Sequence, residues 1–188
     1  MMTSRRLLAA GVATTAALAL VAAAPEASAA PPRERTVVDP VDAGASYDIV
    51  RTVLSSAPKA GRKARVVVTH DRRVRAGDGI DLWFDLDNDR VPDVYLTGMA
   101  YSEYVVFRAR SFKRHGRDIS DKQCFSLTMR KRNAIVRFRP DCLGPSRAFA
   151  VAARSFRQGD PASAADWAPR PERFTRRVLS YAPSGPGA

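Results

Sequence analysis

Histidine and cysteine are nearly missing from this chain, with two of each in 188 residues. A zinc centre built from Cys and His needs three or four such ligands at set spacings. His70 and His115 stand far apart, with no cysteine beside either. A Cys/His metal site and a catalytic thiol are therefore not suggested. No His-Glu-x-x-His helix and no Gly-x-Ser-x-Gly elbow occurs, which excludes those two hydrolase signatures. A triad assembled from distant residues stays open, because triads are defined by geometry. So does a glycosidase-like carboxylate pair drawn from Asp81, Asp85, Asp93 and Glu103. The chain is small for the loops that build a catalytic cleft, so catalysis is not expected. Internal repeats and a second domain are also absent from the pattern, and nothing apolar near the C-terminus could serve as an anchor.

The one long apolar run lies at the start. Arg5 and Arg6 precede Leu7–Ala24, an unbroken stretch of Ala, Leu, Val, Gly and Thr, and Ala27-Ser28-Ala29 follows. That order predicts an export signal over residues 1–29, cut after Ala29. The run is short and mostly Ala, which argues against a spanning helix of about 20 strongly apolar residues. The product is expected to be secreted and extracellular. The leader carries two Arg and one Glu, so its removal lowers the net charge from +12 to +11. Such a charge attracts polyanions, although Arg spread along the chain also fits simple composition bias. In an exported chain the pair Cys124 and Cys142 reads as one disulfide.

Residues 30–46 are rich in Pro, Ala and charge and are expected to form a loose arm, and residues 182–188 are expected to form a disordered tail. Between them, residues 47–181 carry short β-branched and aromatic runs broken by Gly, Pro, Asp and Arg. Strands are predicted at 48–55, 64–70, 103–110, 123–130, 134–139 and 147–156, with helix as the competing reading of the last, Ala- and Arg-rich run. For the 123–139 hairpin, pairing Met129 with Val136 places Arg132-Asn133 in a two-residue turn. The fold expected is all-β, one antiparallel sandwich of about eight strands with one disulfide.

The centre of this pattern is Ile80–Leu96, two strands around an acidic turn. Asp85, Asp87, Asp89 and Asp93 are spaced so that alternate carboxylates can converge on one hard cation such as Ca²⁺. In EF-hand terms they take positions 1, 3, 5 and 9. Arg90 replaces the Gly of the sharp turn, Leu96 replaces the bidentate Glu, and both flanks read as strands. The alternative is an acidic hairpin turn neutralised by an arginine such as Arg90 or Arg108.

The segment Trp83–Asp93 (WFDLDNDRVPD), the Cys142-Leu143-Gly144-Pro145 stretch and Asp166-Trp167-Ala168-Pro169 resemble a group of small secreted actinobacterial proteins. Their usual motif is Asp-Thr-Asp-Gly-Asp-Gly-x-Pro-Asp. More distantly the chain is similar to DOMON and family-nine carbohydrate-binding modules. The resemblance covers roughly residues 47–170 and implies a sandwich with one disulfide and no established activity. Asn88 and Arg90 stand where that motif has Gly, and the haem ligands of some DOMON proteins have no clear counterpart here.

Tyr95, Tyr101, Tyr104 and Trp167, with Trp83, lie on or beside strands and could offer rings to a sugar, or simply pack in the core. Arg108, Arg110 and the loops Lys113–Arg117 and Arg130–Arg132 could grip phosphate or uronate groups, or be solvated. These residues favour a non-catalytic module that binds an extracellular carbohydrate or anionic wall polymer. Nucleic acid is the weaker polyanion partner. The alternatives are a small secreted hydrolase and a structural or inhibitory protein with a protein partner.

Overall fold

The computed structural model describes residues 30–182. The expected leader (1–29) and residues 183–188 of the expected tail lie outside the described residues. The described residues form β1 (Glu34–Val38), β2 (Ile49–Ser55), β3 (Ala64–His70), β4 (Asp78–Asp85), β5 (Val94–Met99) and β6 (Tyr104–Ala109). Then follow β7 (His115–Asp118), β8 (Phe125–Arg130), β9 (Asn133–Phe138), β10 (Ala148–Arg157), β11 (Asp166–Ala168) and β12 (Val178–Leu179). They pair antiparallel into a five-stranded sheet, β1-β2-β3-β9-β8, and a seven-stranded sheet, β11-β10-β4-β5-β6-β7, with β12 on β10. The molecule is an all-β sandwich, as the alternating runs predict. No helix among the described residues is long and apolar enough to cross a membrane.

Side-chain alternation decides what lies between the sheets. Val66 and Val68 from β3, Val136 and Phe138 from β9, Ile80, Leu82 and Phe84 from β4, and Phe149 and Val151 from β10 meet there, each fully buried. Phe84, Phe125, Phe138 and Phe149 stack edge-on or face-on at 4.9–5.4 Å between centroids. Every residue of β4 is buried, on both faces. Thus Trp83 and Phe84 both read as apolar because each face has its own cover.

Several elements depart from the sequence expectation. The arm expected to be loose contains β1, which pairs with β2 along its whole length. Its outward residues are polar or exposed, so no apolar alternation announces it. The short β7 forms within the basic loop and is exposed throughout. The run 147–156 is strand, not helix, because its alternate residues insert into both faces of a sheet. The β8–β9 hairpin is shifted by two residues: Met129 faces Ala134, Leu127 faces Val136, and Lys131-Arg132 make the turn. A shift of two preserves the inward face, so the hydrophobic pattern alone cannot detect it. Third-strand contacts choose the register. Asn133 pairs with Thr69 of β3 and accepts its hydroxyl at 2.9 Å, while Arg132 Nε donates to the His70 carbonyl at 2.9 Å.

Cys124 and Cys142 are joined, with Cα atoms 5.7 Å apart. The Cys124 carbonyl accepts from Arg139 N, and a turn about Pro140, closed by Cys142 N on the Arg139 carbonyl, brings the second cysteine back.

Candidate functional site

On the outer face of the larger sheet, alternation places Asp81, Trp83 and Asp85 of β4 beside Ala150, Ala152 and Arg154 of β10, with Tyr95 and Phe107 continuing across β5 and β6. Segments beyond the strands fold over this row. Trp167 of β11 stacks on Trp83 at 5.1 Å, and Phe112 reaches it at 5.5 Å. Phe174 packs on Phe112 at 5.2 Å, and the His115 ring lies on Tyr95 at 3.8 Å. The result is a second aromatic cluster, outside the sandwich core, in which Trp83 is 2% and Tyr95 is 7% exposed.

Carboxylates within this sheet are matched by arginines. The Tyr95 hydroxyl donates to Asp81 Oδ1 at 2.7 Å, and Arg154 Nε donates to Asp81 Oδ2 at 2.9 Å. Burial and the neighbouring Asp81 charge push the Tyr95 hydroxyl well above the usual phenol range. Arg177, in the segment before β12, donates to both oxygens of Asp85 at 3.0 and 3.2 Å. At the far end of β4, Arg72 binds both oxygens of Asp78 at 2.7 and 2.8 Å. Burial alone would raise the Asp78 carboxyl, but Arg72 and the Arg75 N–H hold it below the ordinary carboxylate range.

Beside Asp85 opens a cleft of about 790 Å³, lined by Arg35, Arg90, Arg173, Arg176 and Arg177 with Asp85, Glu172 and Phe174. Arg90, Arg173 and Arg176 are exposed and pair with no carboxylate among the described residues. Arg35 Nε is sealed from solvent with no hydrogen-bond partner.

The residues singled out from the sequence are scattered relative to this cleft. Asp85, Asp87 and Asp89 do converge, with one oxygen of each within 4.8 Å of the others. Asp85 is held by Arg177 rather than Arg90 or Arg108. Asp87 accepts Asp89 N at 3.1 Å, Asp89 accepts Val91 N at 2.6 Å, and Asp93 accepts Leu86 N at 2.6 Å. Burial first, then the charges of Asp87, Asp85 and Asp89, raise the Asp93 carboxyl. Asn88 and Arg90 hold φ of 81° and 65° there, which Gly would adopt freely. Tyr104 turns inward and donates to the Phe125 carbonyl at 2.7 Å. Tyr101 is 81% exposed on the β5–β6 turn, at the other end of β5 from the acidic loop. Arg108 Nη2 donates to the Leu143 carbonyl at 3.0 Å, and Arg110 borders a shallow basic hollow with Lys113, Arg114 and His115. Tyr95 and Trp167 are the aromatic ligand candidates that the fold brings to the aromatic cluster, where Tyr95 is buried.

His70 is fully buried, its ring stacked on Tyr47 at 3.7 Å, with the Arg72 guanidinium 4.7 Å over the same tyrosine. Burial lowers its pKa to about 3, and it lies in the core rather than in a cleft.

Sequence reasoning missed two sets of residues. Arg173, Arg176 and Arg177 stand in a segment without periodicity, and nothing local ties them to Asp85. The second set is acidic. Asp42 and Asp48 lie in the β1–β2 connection and Asp166 starts β11, yet single oxygens of all three lie within 4.8 Å of one another. Asp39 stands beside them. Burial first, then the Asp166, Asp42 and Asp48 charges, push its carboxyl up to about 7. Clustered Asp in 39–48 was the one available sign.

No family model matches the chain, and no curated protein sequence is significantly similar to it.

Proposed function

We propose that this protein is a secreted, non-catalytic module that binds an anionic extracellular polymer, a wall polymer or acidic polysaccharide, in the arginine cleft beside Asp85. The observation that carries this reading is the excess of cationic groups there. Five arginines face one aspartate and one glutamate, and the aspartate is already engaged by Arg177. Unpaired guanidiniums on a concave surface suit carboxylate or phosphate groups, which they grip in bidentate fashion. Phe174 at the rim supplies an apolar surface for the polymer backbone. Stacking of neutral sugars is supported less well, since Trp83 and Tyr95 are covered by Trp167, Phe112 and His115. The Cys124–Cys142 bridge suits the oxidising compartment to which the leader would deliver the chain.

Retention on purified anionic wall polymer, compared with a neutral polysaccharide of similar length, tests this. Binding should be selective for the anionic matrix and weaken steeply between low and high salt, because exposed charge contacts are screened. Equal retention on the neutral matrix would count against it.

A further inference from the structure

We propose that Asp42, Asp48 and Asp166, with Asp39 beside them, form a binding site for one hard divalent cation, of the Ca²⁺ class, which pins the β1–β2 connection to β11. This site is separate from the arginine cleft and from the acidic β4–β5 loop.

The contrast with the other buried aspartates is the first argument. Asp78, Asp81 and Asp85 are each within 1% of full burial, and each has an arginine: Arg72, Arg154 and Arg177. Asp48 and Asp166 are almost as deeply buried, at 2% and 5% exposed. Among the described residues, however, no Lys or Arg nitrogen lies within 4.0 Å of Asp39, Asp42, Asp48 or Asp166. The arginines that answer Asp78, Asp81 and Asp85 thus have no counterpart at this nest among the described residues. Buried carboxylates that face each other without a counter-charge are costly.

Orphaned oxygens are the second argument. Asp48 Oδ2 and Asp39 Oδ2 are both sealed from solvent and have no hydrogen-bond partner. The remaining oxygens are oriented by backbone. Asp42 N donates to Asp48 Oδ1 at 2.9 Å, while Ile49 N and Trp167 N each donate to an oxygen of Asp166 at 2.6 Å. Those N–H groups fix the carboxylates and leave further lone pairs free.

The geometry and donor type select the ligand. Ca²⁺ takes six to eight oxygens at about 2.4 Å, so two of its ligands can stand no more than about 4.8 Å apart. One oxygen each from Asp42, Asp48 and Asp166 meets that bound. An all-oxygen set without His or Cys suits hard cations over zinc or copper. At the β4–β5 loop, by contrast, Asp85 is neutralised by Arg177, and Asp87 and Asp89 are exposed.

Calorimetric titration of the purified protein with CaCl2 after EDTA treatment and dialysis, alongside thermal melts, tests the assignment. Asp42→Asn is the site variant, since Asp42 is exposed and its backbone bond to Asp48 survives the change. Asp87→Asn/Asp89→Asn is the control. The wild type and the control should bind one Ca²⁺ per chain and melt higher with Ca²⁺ than with EDTA. Asp42→Asn should melt like the wild type in EDTA and bind at least about tenfold more weakly. Absence of Ca²⁺ binding in the wild type, or binding lost in the control and kept in Asp42→Asn, would overturn it. Polymer binding is not read here, so the result is independent of the arginine cleft.

Discussion

Arg177 donates to both carboxylate oxygens of Asp85 from 92 residues away, and so ties the segment before β12 to the end of β4. Asp85 is 1% exposed, and the Arg177 side chain is 19% exposed. The pair therefore forms the floor of the arginine cleft rather than a solvated surface bridge.

Breaking that pair should destabilise the fold. Arg177→Ala leaves Asp85 buried without a counter-charge, and single removals of this kind typically cost about 3 kcal/mol. Asp85→Asn/Arg177→Ala, which leaves no such charge, should recover a good part of the loss. Chemical denaturation of the wild type, both singles and the double measures this coupling. Strict additivity of the two single changes would deny the interaction.

The placement of His70 predicts how stability depends on pH. Its folded-state pKa, lowered to about 3, lies below the ordinary value of 6.5. The unfolded chain therefore binds the proton first. Its contribution to stability is present above pH 6.5 and is lost progressively as pH falls towards 3. The groups facing the ring are Tyr47, the Arg132 carbonyl, Arg72 and Asp78. His70→Phe keeps a ring on Tyr47 but cannot titrate, so its unfolding free energy should fall less steeply between pH 6.5 and 4. An unchanged slope would remove His70 as the cause.

Reduction of Cys124–Cys142 should lower stability by about 3 kcal/mol, the loop-closure contribution expected for a bridge of this span. Equilibrium denaturation with and without reductant, and of Cys124→Ser/Cys142→Ser, should agree. A bridge without effect would mean that the turn about Pro140 holds its place unaided.

Tyr101 is exposed and holds φ of 62°, a region that glycine enters without strain. Tyr101→Gly should leave stability unchanged or raise it by about 1 kcal/mol, and should not alter polymer binding. Its place at the far end of β5 from the cleft is the reason. A marked loss of affinity in this variant would move the binding surface to the β5–β6 turn.

What the sequence disclosed follows from where the physical signal lies. β3 is a β-branched run between turn residues, so its bounds could be read directly. The inward face of β8 and β9 was legible, but their register was not, since a slip of two residues hides nothing apolar. β1, β7 and β11 are short edge strands whose backbone partners, not their side chains, make them strands. The acidic loop of β4–β5 stood out because its carboxylates lie close together in sequence. The nest of Asp39, Asp42, Asp48 and Asp166 did not, because β11 joins it only through the pairing of β11 with β10. Arg177 likewise meets Asp85 only after the segment following β11 folds over the outer sheet face.

The most direct test of the binding account is calorimetric titration of a soluble polyuronate into the wild type and into Arg90→Ala/Arg173→Ala/Arg176→Ala. All three arginines are exposed cleft residues that pair with no carboxylate among the described residues, so the variant should fold as the wild type does. The account predicts saturable, salt-sensitive binding by the wild type and a loss of at least about tenfold, or about 1.4 kcal/mol, in the variant. Equal affinity in both proteins would contradict it and place polyanion binding elsewhere on the surface.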